Sequence, residues 1–260
     1  NSAPKVTTND LVGLSVSAIQ FQGSNYVVHG KPAGNPLALY STGLGGWSLI
    51  ASLNGNYFAG TSPLVLSNSG SVSVASGAVL SVLSGISGAG NLTKFNSGTL
   101  RYAAGAANTF TGTTTVSDGT LDLNNGTLFP AATYVAIAGP LVIGSTNMSL
   151  APQVRLLQND QIADAQPVMI YENGRLSLNG KNDTVGALTM RDGADISTGV
   201  GGGSSSPGVL TLLGNVTCTN SPHASYASIR GLLDLGLFTR TFHVEDRKST
   251  RLNSSHRIRS

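Results

Sequence analysis

Charge is scarce in this 260-residue sequence: Asp, Glu, Lys and Arg make up 10% of it, and aromatic residues only 6%. So little Glu and Lys argues against a protein built from amphipathic surface helices. The single cysteine, Cys218, excludes an internal disulfide framework and a cysteine-based zinc cluster. It reads as a small buried hydrophobe. There is no run of 18 apolar residues, so no segment is suited to cross a membrane as a helix. Disorder is excluded from the other side, because a 40% hydrophobic share with this little charge can bury a core. What remains is abundant: 33 glycines, together with Ser, Thr, Asn, Val and Leu. β-branched residues and turn formers in that proportion predict an all-β fold.

The net charge of +3 is concentrated at one end. Residues 246–260 hold five basic side chains, Arg247, Lys248, Arg251, Arg257 and Arg259, against Asp246. Residues 1–245 then carry ten basic and eleven acidic groups, a balance of −1. The run from Asp246 to His256 resembles the translation of a short-read sequencing adapter, which implies a non-native, disordered tail outside fold reasoning. On that reading the native chain continues beyond Glu245, and the start at Asn1 without Met implies truncation upstream as well. With the tail set aside, no basic stripe and no nucleic-acid partner are expected of the body.

A short element, Gly-x-Leu-x-(Leu/Ile/Met) or a close variant, recurs through most of the chain. It begins at Gly77, Gly98, Gly119 and Gly139, and again at Gly174, Gly186, Gly208 and Gly231. The first three are 21 residues apart, and other steps are 20, 22 and 23. Apolar residues two apart point to one face of a strand, while the Thr, Ser or Asp between them points away. A period near 21 therefore predicts a coil of three short strands and three turns. Stacking such coils about 4.8 Å apart sets the leucines in ladders within a dry core. The expected architecture is a right-handed parallel β-helix of about 11 coils of roughly 21 residues over 1–245. A β-sandwich also has short strands at close intervals, but its strands need not repeat one element at a constant offset. Three segments depart from the pattern. Residues 158–164 read as a loop leaving the coil, with one helical turn capped by Asn159 or Asp160. Gly199 to Pro207 reads as a flexible loop. Gly43 to Gly60 reads as irregular, with Trp47, Tyr57 and Phe58 capping the side of the solenoid or forming a ligand-facing patch.

The stretch Ile86-Ser87-Gly88-Ala89-Gly90-Asn91-Leu92-Thr93-Lys94, followed by Ser97-Gly98-Thr99-Leu100, carries a more specific signature. It continues through Phe110-Thr111-Gly112-Thr113-Thr114-Thr115-Val116 to Gly119-Thr120-Leu121. This resembles the autotransporter-associated β-strand repeat. One repeat matches closely, looser copies cover 65–244, and residues 1–64 match weakly. The resemblance implies a β-helix exported across a bacterial outer membrane, hence a secreted or cell-surface location. It fits equally a C-terminal translocator barrel or anchor outside these residues and a secreted protein that uses these repeats without a barrel.

Templates for chemistry are thin. Asp122 and Asp234 are expected in corresponding outward slots about five coils apart, on the order of 25 Å, too far to form one site. Asp192 and Asp195 flank a turn, and Asp160 and Asp164 belong to a solvated cap. His29, His223 and His243 have no metal-ligand spacing. Gly88-Ala89-Gly90 and Gly201-Gly202-Gly203 precede no helix and so cradle no phosphate. Ser204 to Ser206 lie on no strand-to-helix elbow. No residue is put forward as catalytic, metal-binding or cofactor-binding, and no cofactor is expected. The expectation is a non-enzymatic adhesin or scaffold, with glycans or other cell-surface solenoids as partners and no membrane insertion. The alternative is a carbohydrate-active β-helix, a polysaccharide lyase or hydrolase.

Overall fold

Alternation within each strand decides which side chains meet. In Thr99–Tyr102 and Thr120–Leu123, Leu100 and Leu121 point inward, and the backbone pairing sets one directly over the other. The computed structural model describes residues 5–258 except 10, 12, 31–35, 44–45, 129–130, 148, 200–205, 221–225 and 246–254. Among the described residues there is no helix, and the chain winds as a parallel β-helix.

Three faces make up each coil. The first is a ten-stranded parallel sheet running from Lys5–Asn9 to Ser228–Arg230. The second stacks ten parallel strands from Ala18–Phe21 to Arg240–Val244. The third is split into four strands ending at Ile86–Gly88 and three beginning at Asp183–Val185. Between these two runs the coils are joined by backbone bonds and by a parallel bridge between Ile137 and Ile162.

The core is a set of ladders. Leu80, Leu100, Leu121, Val154, Leu176 and Ile196 lie over one another on the first face, each 0–1% exposed. Leu49, Val72, Val116, Ile143, Ile170 and Met190 do the same on the second. Burying each such side chain stabilises by about 1.5–3 kcal/mol, and a single coil has nothing of its own to bury against. Where corners of successive coils touch, a side chain does not fit: a Cβ on Gly112 would lie 2.2 Å from the carbonyl oxygen of Gly90.

Lys94 occupies an inward slot between Val72 and Val116 and is fully buried. Its stem lies in the aliphatic ladder, while Nζ donates to the carbonyls of Phe95 at 3.2 Å and Asp118 at 2.9 Å, and to that of Asn96. Burial lowers its pKa to about 8, against the opposing pull of the Asp118 charge. The lysine of the repeat signature thus ties one corner to the next, since buried charge persists only where it is hydrogen-bonded.

Several expectations change. Ten strands on the first face mean nine steps, so about nine turns rather than eleven. The reason is coil length: from Leu121 to Val154, and again from Ile196 to Ile229, one coil takes 33 residues instead of 21. The first long coil contains an antiparallel hairpin, Gly126–Leu128 with Ala131–Thr133. The second contains Gly199 to Pro207, of which 200–205 lie outside the described residues. The repeated Gly-x-Leu element is not one ladder either. Leu80, Leu100, Leu121 and Leu176 share the first face, but Leu141 and Leu188 belong to the second and Leu210 and Leu233 to the third. A glycine corner followed by an alternating strand suits any face.

Residues 158–164 do not leave the coil and form no helical turn. Gln161 and Ile162 are buried, and Ile162 continues the third face. The region 43–60 is not irregular: Trp47–Ala51 and Asn56–Ala59 are regular strands, with Trp47 and Phe58 in the core rather than on the side and only Tyr57 in an outward, half-buried slot. The described residues before 65 therefore build strands on the same three faces. Within the segment expected to be disordered, Ser255–Ile258 is a strand antiparallel to Arg240–Val244.

Candidate functional site

The outward slots of the first face bring together residues far apart in sequence. Beside inward Leu100, Leu121 and Val154 stand Arg101, Asp122 and Arg155, one above another. Asp122 points outward and yet is fully buried, because a guanidinium covers it from each side. Arg101 donates to its Oδ2 from Nε at 3.2 Å and from Nη2 at 2.9 Å. Arg155 donates to Oδ1 from Nε at 2.9 Å and to Oδ2 from Nη2 at 3.0 Å. The hydrogen bond with Asp122 raises the pKa of Arg155 above its ordinary value.

The same face carries a second cluster. Arg175, Asp195 and Ser228 occupy the neighbouring row in consecutive coils, with Arg230 one outward slot further along. Asp195 accepts from Ser228 Oγ at 2.6 Å, and from Arg230 Nε at 3.0 Å and Nη2 at 2.6 Å. Burial pushes the Asp195 carboxyl up, but the bonds from Arg230 and Ser228 and the charges of Arg230 and Arg175 outweigh it and hold it below the usual range. Arg175 and Arg230 are exposed, whereas Arg101 and Arg155 are about two-fifths exposed.

Four of the six arginines in 1–245 therefore line one face with two aspartates, a net of +2 on a body of −1. This amends the expectation that the body has no basic stripe. Each of these residues adjoins the inward apolar residue of its strand, which is a readable signal. Yet the steps between them are 21, 33 and 22 or 20 residues, so the line emerges only from the coil register.

The second face differs. Its outward row runs Ala18, Ser48, Ser71, Thr93, Thr115, Val142, Met169, Thr189, Thr217 and His243. A shallow cleft of about 470 Å³ lies on it, lined by Asn68, Ser69, Ser71, Thr93 and the half-exposed ring of Phe95. Trp47 does not reach this cleft: it is fully buried and its indole N–H is bonded to the carbonyl of Asn68.

The other residues considered from sequence remain apart. Asp234 lies on the third face, not in the slot of Asp122, and accepts from the Gly236 amide at 2.9 Å. Asp160 sits at a corner with a φ of 52°, and both it and Asp164 are exposed. His29 and His243 are half-buried on different faces, and His223 lies outside the described residues. Among the described residues, no three His, Cys, Asp or Glu side chains group as a metal site would need.

Chemically, the first face is a row of guanidinium forks interleaved with carboxylates. Such forks recognise planar anions by paired N–H bonds. The chain matches no protein-family model, no curated protein and no solved structure. The fold is that of a β-solenoid.

Proposed function

We propose that this chain is a passenger-like module of a secreted or bacterial cell-surface protein, acting without catalysis as an adhesin or structural scaffold. The observation that carries this reading is a continuous parallel ladder over about nine turns that keeps its polar slots outward on long, flat faces. A rod of this kind presents many equivalent hydrogen-bonding groups at a fixed rise of about 4.8 Å, which suits extended ligands and other solenoids. The signature from Ile86 to Leu121, which resembles the autotransporter-associated repeat, supports the surface location.

Carbohydrate cleavage is the weaker reading. Glycosidases set two carboxyl groups roughly 5–9.5 Å apart. On the charged face Asp122 and Asp195 are three coils apart, on the order of 14 Å. Both are already engaged by arginine.

The test uses the full chain with Arg247, Lys248, Arg251, Arg257 and Arg259 changed to Gln, so that the basic tail cannot bind for the body. Retention on immobilised glycans or on bacterial or host cells is expected, with no release of sugar fragments. Fragment release would replace the adhesin by an enzyme, and failure to bind any surface would leave only a spacer.

A further inference from the structure

We infer that the outer face of the ten-stranded sheet binds a linear acidic polysaccharide lying along the solenoid axis, held by Arg155, Arg175 and Arg230 together with Arg101. This rests on the surface-module reading above and names the ligand class for one of its faces.

A chain that is 10% charged places four of its six body arginines on one face, within six successive coils. Salt-bridge stabilisation alone accounts for only part of this. Asp122 is satisfied by two guanidiniums, and Asp195 by Arg230 and Ser228. Arg175 lies in the coil beside Asp195 and contributes charge to it, and its side chain is exposed. Arg101 and Arg155 have the buried Asp122 to satisfy, but an exposed ion pair stabilises little, so folding gives weak reason for the exposed Arg175 and Arg230. Further acids sit on the corner that leads into this face rather than on the face itself: Asp118, which accepts from the Gly119 amide at 2.8 Å, Glu172, 3.7 Å from Arg191, and Asp192.

Geometry selects the ligand. A flat parallel sheet repeats its outward slots about every 4.8 Å. An extended polysaccharide advances by a similar distance per sugar ring, so its carboxylates or sulfates meet successive slots without bending. Arg101 and Arg155 stand two coils apart, and Arg175 follows one coil later. Between them Thr99, Thr120, Gln153, Ser177 and Ser197 offer donors and acceptors for ring hydroxyls. A single-stranded nucleic acid would want aromatic platforms for its bases. From Thr99–Tyr102 to Ser228–Arg230 the outward slots carry none.

The test compares polygalacturonate and heparin with neutral dextran, using the full chain whose tail arginines and lysine are changed to Gln. Binding to the acidic polymers and not to dextran is expected, weakening as salt is raised. Arg155→Gln, Arg175→Gln and Arg230→Gln together should weaken it tenfold or more while the thermal unfolding profile and circular dichroism stay those of a β-solenoid. Asp195→Asn removes one opposing charge and should tighten binding a few fold. Should the triple variant misfold, the single Arg175→Gln change and the Asp195→Asn gain still decide the matter. Equal binding by the arginine variants, no binding to either acidic polymer, or equal arginine-dependent binding to single-stranded DNA would overturn the inference. Retention on dextran or other neutral glycans alone would overturn it and leave the surface-module reading standing. Loss of every glycan and cell interaction would remove both.

Discussion

Two buried polar groups set residue-scale expectations of opposite kind. Tyr102 stands inward over Val82, wholly buried, and its hydroxyl has no hydrogen-bond partner. Burial raises the pKa of the phenol and leaves a donor unsatisfied at a cost of about 1–3 kcal/mol. Tyr102→Phe should therefore hold or raise stability, by about 1 kcal/mol, read as an unchanged or higher midpoint in chemical denaturation. Asp183 is the contrary case. It is buried but well bonded: Oδ2 accepts from the amides of Gln161 at 3.0 Å and Ile162 at 3.2 Å, and Oδ1 from that of Thr184 at 2.8 Å. Burial nevertheless outweighs these bonds and raises its pKa to about 7. An acid whose folded pKa lies above its unfolded value stabilises the fold when protonated. That contribution is complete below about pH 4 and is lost as the pH rises to about 7. Stability should thus fall across that window by on the order of a few kcal/mol, and Asp183→Asn should flatten the slope. A slope unchanged by the substitution would show that other groups carry it.

At the scale of the strand and its corner, glycine acts in two separable ways. Gly77 has a φ of 72°, and a Cβ there meets nothing within 4 Å, so Gly77→Ala costs only backbone strain, about 1–2 kcal/mol. At Gly112 a Cβ would fall 2.2 Å from the carbonyl oxygen of Gly90 and 2.8 Å from the amide nitrogen of Asn91, both backbone atoms of the coil beneath. Gly112→Ala must then push two coils apart and should cost clearly more than Gly77→Ala. Urea melts of the two variants side by side check the order, and a reversed order would refute the stacking at this corner. The same contacts explain why the element recurs on all three faces: each face needs a corner tight enough for its neighbour and a strand that alternates.

For the whole molecule, nearest-neighbour stacking makes the coil the unit that can be removed. Deleting residues 80–99 joins Val79 to Leu100 and brings Leu100 over Asn56, where Leu80 lay. On the second face it leaves Val116 to follow Val72, as Lys94 did. The shortened chain should keep its β-sheet circular dichroism and unfold with a smaller dependence on urea, in proportion to its smaller buried surface. Deleting residues 80–89 alone shifts every later coil by half a turn and should abolish folding. Survival of both deletions would show that register does not hold the solenoid together.

Much of this was legible in one dimension. Apolar residues two apart, glycines before them and a spacing near 21 follow from strand pleat and corner geometry, and they determined a parallel coil with an outward polar row. Lys94 was visible as part of a repeat, though nothing local says that a lysine turns inward; that depends on two carbonyls of its own corner, Phe95 and Asn96, and on that of Asp118 in the next coil. The coil count and the membership of each face were decided only by tertiary structure. A hairpin or loop can lengthen one coil to 33 residues without altering the strands on either side. For the same reason the arginine row could not be read from the chain. Arg101, Asp122 and Arg155 become neighbours because backbone hydrogen bonds fix which strand lies on which, and sequence distance does not enter into that.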